Sequence, residues 1–188
     1  MNLPNKLSLI RVALIPVMVA LMLPQTLICN LLAAAVFGVA ALTDYLDGHI
    51  ARSRHLVTDF GKFIDPVADK LLNLSAMIML VQGGIMPGWA VVLILARELA
   101  VDGLRMVAVG QGHVIAAGQL GKIKTVSQMM MLIWVLVTHA PMYTAPMYGE
   151  GVLWMSIVST VLLGWVVVIT LWSGIDYFVR NRDCIKDM

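Results

Sequence analysis

The chain has 188 residues, of which 60% are hydrophobic and 13% are charged. A soluble domain of this length carries roughly half apolar residues and about a quarter charged ones. The composition therefore excludes an ordinary soluble domain and indicates a protein that crosses a membrane several times. The formal net charge of +2 is too small to indicate a nucleic-acid partner.

Six apolar runs, each near the roughly 20 residues that a bilayer requires, predict transmembrane helices. In chain order these cover about 7–23, 26–52, 61–82, 87–111, 121–140 and 152–179. Chain breakers lie between several of them, at Pro24, at Gly83-Gly84 and in the stretch 141–151. No internal repeat or long linker is evident, so we expect one all-α bundle over residues 1–188.

The basic residues indicate how this bundle lies in the membrane. With six helices, all 13 lysines and arginines fall at or toward the same face as the N-terminus. The positive-inside rule then places both termini in the cytoplasm, and we expect a multi-pass protein of the inner membrane. Lys6 and Arg11 fit a short N-terminal interfacial segment near anionic lipid headgroups.

Four aspartates stand at the predicted cytoplasmic edge of the second and third helices. Asp44 and Asp47 lie on neighbouring parts of one face near the end of the second helix, and Asp65 and Asp69 are spaced i,i+4 at the start of the third. Two antiparallel helices joined by a short connection bring these carboxylates to one depth. Pro66 fits there, because a proline near a helix start loses no intrahelical hydrogen bond.

Four carboxylates within a few ångströms repel one another strongly, and each is costly near a membrane. Hard divalent cations with oxygen ligands relieve that repulsion. The pattern therefore favours two Mg²⁺ or Mn²⁺ ions bound by these residues. A simpler interpretation is that the aspartates form interfacial ion pairs with neighbouring basic residues, although ion pairing does not require this spacing. Those neighbours are Arg52, Arg54, Lys62 and Lys70.

The residues around the aspartates form a longer pattern, Asp44-x2-Asp47-Gly48-x2-Ala51-Arg52-x8-Gly61-x3-Asp65-x3-Asp69. This pattern resembles, without a departure, the signature of the CDP-alcohol phosphatidyltransferase family. Three further segments look like the members of that family whose acceptor is glycerol 3-phosphate. They are Pro4 to Arg11, the pair Arg97-Glu98, and Gly121 to Thr125. One departure is Ser8, where many relatives carry threonine, and both residues offer one hydroxyl.

The resemblance implies transfer of a phosphatidyl group from CDP-diacylglycerol to the hydroxyl of glycerol 3-phosphate, with release of CMP. It further implies six transmembrane helices, a homodimer, and an active site that faces the cytoplasm and opens to the membrane lipids. The four aspartates would hold the two metals, and Asp69 would also be the catalytic proton acceptor. The CDP-diacylglycerol site would contain Asn5, Ser8, Asp47, Gly48, Arg52 and Thr58.

The predicted fourth helix carries ionisable residues where lipid would reject them. Arg97, Glu98, Asp102 and Arg105 fall within an arc of about 140°, so this face must look into the bundle or a water-filled cavity. We take Arg105, Lys122 and Lys124 as candidates for the phosphate of the acceptor, with Arg97 behind them. The two lysines could instead serve only the membrane topology. Glu98 and Asp102 are expected to orient the arginines.

Two alternatives to this function remain. The same family includes enzymes that use inositol phosphate, serine or phosphatidylglycerol as acceptor. The motif concerns only the CDP moiety of the donor, which all these enzymes share, so it does not identify the acceptor. From another class, a divalent-cation transporter also places carboxylates in a membrane. Transport requires access from both faces, however, whereas these carboxylates lie at one face.

Overall fold

A computed structural model describes residues 3–53, 59–110, 118–142 and 150–182. Within these ranges, the side chains of 3–5, 44–53, 59–63, 65, 139–142 and 150 lie outside the description. The described backbone thus covers the chain except its two ends and the segments that follow Ser53, Gly110 and Met142.

All secondary structure in the described part of the chain is helical, which confirms the all-α prediction. The six helices are α1 Leu3–Met22, α2 Leu27–Ser53, α3 Asp59–Gln82, α4 Gly88–Gly110, α5 Gln119–Met142 and α6 Glu150–Arg180. Their bounds agree with the predicted ones to within a few residues. Lys6 and Arg11, which were expected in a short interfacial segment, belong to α1 itself.

The helices group into two compact units. The first unit comprises Met1–Met86 and Leu132–Ser156, and the second comprises Pro87–Met131 and Ile157–Met188. Both α5 and α6 contribute to each unit. This division into two compact units does not test whether they form one domain, so the single domain stays a prediction.

The first unit is built around α1, which packs against both α2 and α3. Its core contains fully buried alanines on α2 and α3, among them Ala33, Ala40 and Ala68. Small side chains let helix backbones approach closely, which is how helices associate where lipid supplies no hydrophobic drive. Larger side chains such as Phe37 and Met18 fill the space between the helices.

Local sequence explains where the helices of this unit begin and end. The Thr26 Oγ1 accepts a hydrogen bond from the Cys29 amide at 3.4 Å. Thr26 is therefore the N-cap residue of α2. After α3, Gly84 adopts a φ of +72°, and the Ile85 amide donates to the Leu80 carbonyl at 3.0 Å. This is the glycine-terminated helix end that satisfies the last carbonyls.

Pro66 does not lie at a helix start as predicted, because α3 already begins at Asp59. A proline inside a helix cannot donate to the carbonyl four residues earlier, here that of Lys62. The predicted helix began at about Gly61, so Asp59 and Phe60 extend it, and Pro66 lies about two turns from its start.

The second unit has an apolar core contributed by α4 and α6. Val101, Leu104 and Tyr177 form a buried cluster, and Phe178 packs against it. Outside this core, α6 exposes large apolar side chains along much of its length, including Trp165 and Trp172. Gln119–Thr138 and Gly151–Arg180 are long and apolar enough to cross a membrane, by length and composition among the described residues.

Candidate active site

The aspartate motif lies on the two helices predicted to carry it. Asp44 and Asp47 belong to the last part of α2, and Asp65 and Asp69 belong to α3. Asp69 is the member of the four whose side chain is described. The remaining predicted residues of the motif and nucleotide site, apart from Ser8, have side chains outside the described part of the chain. They are Asn5, Asp44, Asp47, Gly48, Arg52, Thr58 and Asp65.

The Asp69 side chain is half-buried and is held by an asparagine one turn further along α3. The Nδ2 of Asn73 donates to the Asp69 carboxylate Oδ1 at 3.1 Å and to the Asp69 carbonyl at 3.0 Å. Asn73 is itself buried, at 5% exposure. Its amide therefore restricts the orientation of the carboxylate, as a hydrogen-bonding partner behind a metal ligand does. Sequence reasoning missed Asn73, although its i,i+4 spacing from Asp69 was visible.

The donor set of the motif suits divalent cations, since carboxylate oxygens are the ligands that Mg²⁺ and Mn²⁺ prefer. Asn73 Oδ1 is buried and has no hydrogen-bond partner among the described residues, so a further acceptor oxygen stands beside the carboxylate. Among the described residues no group of three or more metal-ligating side chains occurs, because three of the four aspartates lie outside that set.

Two polar residues on α1 are buried within the first unit. Ser8 and Arg11 are each 0% exposed, and their i,i+3 spacing places them on one face of the helix. Lys6, by contrast, is exposed. The expectation that Arg11 lies among lipid headgroups is therefore wrong, because its side chain is buried within the unit in which α1 packs against α2 and α3.

The ionisable residues of α4 lie on a partly sheltered side of the helix. Arg97, Glu98 and Asp102 are all half-buried. The apolar residues Leu99 and Met106 are 59% and 75% exposed. One side of α4 is therefore polar and sheltered, and another is apolar and open.

A buried ion pair joins α4 to α5 within the second unit. Lys124 Nζ donates to Glu98 Oε1, and the two side chains are 3% and 17% exposed. Glu98 was expected to orient an arginine, and that role stays a prediction; among the described residues its carboxylate forms an ion pair with Lys124. The sequence separation of the two residues hides the contact from helical periodicity. Lys122, the other predicted lysine of α5, is exposed.

Arg105 is held by a tyrosine from α6. Its Nε donates to the Tyr177 hydroxyl at 3.2 Å, and its guanidinium carbon lies 5.6 Å from the centre of the ring. Tyr177 is buried, so the arginine is anchored to the apolar core of the second unit. Such an anchor lowers the conformational entropy that an arginine loses on binding an anion. Nothing in the sequence linked Tyr177 to this arginine.

Arg97 is half-buried on the same helix face. Its Nε is buried and has no hydrogen-bond partner in the described part of the chain. A guanidinium N–H that is buried without an acceptor is costly, whereas an anionic ligand would supply one. The aspartate motif of the first unit and the half-buried cations of the second are each typical of enzymes that bind phosphorylated substrates.

Comparison with known sequences identifies that class of enzyme. The profile of the CDP-alcohol phosphatidyltransferase family matches residues 1–172, and the chain belongs to this family. It is 39% identical to the CDP-diacylglycerol–glycerol-3-phosphate 3-phosphatidyltransferase of Bacillus subtilis, over 98% of this chain and 97% of that protein. It is 34% identical to the enzyme of the same name from Shigella flexneri, over 99% and 98%.

Another bacterium provides a third similar protein. The probable phosphatidylglycerophosphate synthase of Mycobacterium tuberculosis is 35% identical over 95% of this chain and 81% of that protein. The similarity thus extends over nearly the whole chain in each comparison. It is not confined to the aspartate motif.

Proposed function

We propose that the chain is a membrane enzyme that transfers the phosphatidyl group of CDP-diacylglycerol to glycerol 3-phosphate and releases CMP. The observation that carries this proposal is the unbroken aspartate motif on α2 and α3, in a chain that belongs to the family. The similar proteins from B. subtilis and S. flexneri are named for this reaction, which is the reaction predicted from the sequence.

The motif would bind two divalent cations, Mg²⁺ or Mn²⁺, through its four aspartates, Asp44, Asp47, Asp65 and Asp69. When bound, such cations neutralise charge on a pyrophosphate and on the departing nucleotide. The protein's own part is to hold the carboxylates in the orientation that binding requires. The hydrogen bond from Asn73 to the Asp69 carboxylate supports this role.

The nucleotide of CDP-diacylglycerol would bind along the same segment. Gly48 has no side chain, so a nucleotide can approach the backbone of α2 closely. Arg52 can donate two parallel hydrogen bonds to a phosphate. We assign Asn5, Ser8, Asp47 and Thr58 to the same site, and the buried position of Ser8 places its hydroxyl inside the first unit rather than toward lipid.

The phosphate of the acceptor would bind at the basic residues of the second unit, which are Arg97, Arg105, Lys122 and Lys124. Two of these already have fixed partners: Tyr177 holds Arg105, and Glu98 holds Lys124. Preorganised cations bind an anion without first losing rotamer freedom. Glu98 also limits the net positive charge, so that the site does not require a permanent counter-anion.

For the chemical step we propose a single in-line displacement. The hydroxyl oxygen of the acceptor attacks the phosphorus that bears diacylglycerol, and the bond from that phosphorus to the CMP oxygen breaks. The hydroxyl proton passes to Asp69. A side chain in this role must be oriented within hydrogen-bond reach of the proton, and the contact with Asn73 supports such an orientation. One displacement predicts inversion of configuration at phosphorus.

In the membrane we propose that all six helices span the bilayer, with both termini and the active site at the cytoplasmic face of the inner membrane. The one-sided distribution of lysine and arginine supports this orientation. Trp89 and Trp154 support membrane-spanning helices rather than a particular orientation, because they are 60% and 67% exposed near the predicted outer ends of α4 and α6. Tryptophan favours such interfacial positions. The family resemblance favours a homodimer.

An acceptor screen tests the function. Purified protein in detergent is mixed with CDP-diacylglycerol, Mg²⁺ or Mn²⁺ and one acceptor, and CMP release is counted. We expect release with glycerol 3-phosphate and background release with serine, inositol phosphate or phosphatidylglycerol. A preference for one of the latter would refute the acceptor while leaving the family intact. Cation uptake into proteoliposomes without CMP release with any acceptor would favour a transporter.

A further inference from the structure

Two glycines from different helices lie against the side chain of Arg97. A Cβ atom placed on Gly174 of α6 would stand 3.0 Å from Arg97 Cγ and 3.8 Å from its Nε. A Cβ atom on Gly121 of α5 would stand 3.8 Å from Arg97 Nη2. All three residues belong to the second unit. The arginine therefore runs from α4 past the backbone of α6 at its base and past that of α5 at its tip.

The two contacts differ in what they would tolerate. Carbon atoms in favourable contact stand about 3.5–4.0 Å apart, so 3.8 Å at Gly121 is ordinary contact and 3.0 Å at Gly174 is too close. The crowded atom at Gly174 is Cγ, near the base of the side chain. A shift at Cγ changes the first torsions of the arginine, and the change grows toward the guanidinium. A methyl group at position 174 would thus move the charged end more than the atom it touches.

Such crowding is not general among the glycines of this unit. A Cβ atom added to Gly103 of α4 or to Gly164 of α6 would meet no atom of another residue within 4 Å among those described. Gly164 and Gly174 also share one helix, so the helix propensity of their replacements is the same. The close approach at Gly174 is specific to the place where Arg97 passes.

We infer that Gly174 is a positioning residue that fixes the guanidinium of Arg97 toward the phosphate of the acceptor. This inference rests on the proposed function, since it takes Arg97 as part of the acceptor site. The buried Arg97 Nε has no hydrogen-bond partner among the described residues, so no described acceptor of the protein competes with an oxyanion for it. The neighbouring carboxylate of Glu98 is already paired with Lys124.

The test compares Gly174→Ala with Gly164→Ala in detergent-solubilised full-length enzyme. For Gly174→Ala we expect the KM for glycerol 3-phosphate to rise about tenfold, the loss from weakening one charged hydrogen bond, with the KM for CDP-diacylglycerol unchanged. Gly164→Ala should match the wild type in both constants. An unchanged acceptor KM in Gly174→Ala would overturn the inference, as would equal effects of the two variants.

An Arg97→Ala background shows whether the glycine acts through the arginine. Because this change removes Cγ, adding Gly174→Ala should then raise the acceptor KM by less than about twofold, the non-additivity expected of residues in contact. If Gly174→Ala still raised the acceptor KM about tenfold in the Arg97→Ala background, as it does alone, the inference would be overturned. If Gly174→Ala alone fails to fold, the double variant should fold, and its failure to do so would equally count against the contact.

The same background separates this inference from the proposed function. Arg97→Ala is expected to raise the acceptor KM by itself. If it does so and Gly174→Ala has no effect, the positioning role is wrong and the acceptor site stands. If Arg97→Ala leaves the acceptor KM unchanged, the acceptor site loses Arg97, and the positioning role is refuted with it.

Discussion

The buried ion pair between Glu98 and Lys124 permits a stability prediction with a matched control. Glu98→Gln keeps the shape and one acceptor oxygen but removes the negative charge. The lysine side chain, 3% exposed, then retains its charge in a sheltered place without a counter-charge. Breaking a buried pair in this way costs about 3–5 kcal/mol.

The magnitude for this pair is smaller than that range. Glu98 is 17% exposed, and the glutamine oxygen still accepts a hydrogen bond, so we expect about 2–3 kcal/mol. For a chain of this size, a change of about 1 kcal/mol shifts Tm by about 2–4 °C. Glu98→Gln should therefore lower the thermal unfolding temperature in detergent by about 4–12 °C.

The control is Asp176→Asn on α6. Asp176 forms an i,i+4 pair with Arg180, in which the arginine side chain is 71% exposed and the aspartate 27%. Exposed pairs contribute about 0.5 kcal/mol or less, so Tm should fall by less than about 2 °C. The double variant Glu98→Leu with Lys124→Met should recover part of the loss, because no buried charge remains. A Glu98→Gln protein as stable as Asp176→Asn would refute this reasoning.

Three further predictions concern the reaction and the membrane topology. Asp44→Asn should abolish turnover while the protein still inserts and purifies, and chelation of divalent cations should abolish wild-type activity; full activity in metal-stripped protein would contradict the metal site. Asp69→Asn should lower kcat by a factor of about 10² to 10⁴, the range for loss of a general base. The wild type should invert the configuration of a chiral thiophosphate substrate, and retention would instead indicate a covalent phosphatidyl-enzyme. In cells labelled from outside, a cysteine placed in 141–151 should react and one at Ser53 should not, and the reverse pattern would overturn the topology.

The helices were predictable because apolar runs and chain breakers alternate clearly along this sequence. Thr26 and Gly84 mark a helix start and a helix end by local chemistry, which a sequence displays directly. The start of α3 was predicted at about Gly61, close to its actual start at Asp59. Pro66 was expected near that start, where it would cost no hydrogen bond, whereas it lies inside the helix.

Contacts between helices were less accessible from sequence. The pairing of Glu98 with Lys124 and of Arg105 with Tyr177 depends on how α4, α5 and α6 pack. Periodicity assigned the charged face of α4 but could not choose a partner for each charge. Arg11 shows the same limit, because its burial follows from the packing of α1 and not from its place near the N-terminus.

The aspartate motif was readable for a different reason. Its spacing is set by the geometry of two helices and by the oxygen ligands that divalent cations require. Asn73 lies one turn beyond the motif and was overlooked, because a single asparagine in an apolar helix carries no pattern of its own. Its hydrogen bonds to Asp69 are apparent only in the structure.

The central claim is that this chain joins a phosphatidyl group to glycerol 3-phosphate, and product stoichiometry tests it most directly. Purified enzyme is incubated in detergent with CDP-diacylglycerol, Mg²⁺ and glycerol 3-phosphate, and both CMP and lipid products are quantified by mass spectrometry. We predict equal amounts of CMP and phosphatidylglycerol phosphate, and neither product when the acceptor is omitted. Release of CMP together with phosphatidic acid, with or without acceptor, would show hydrolysis rather than transfer and would contradict the claim.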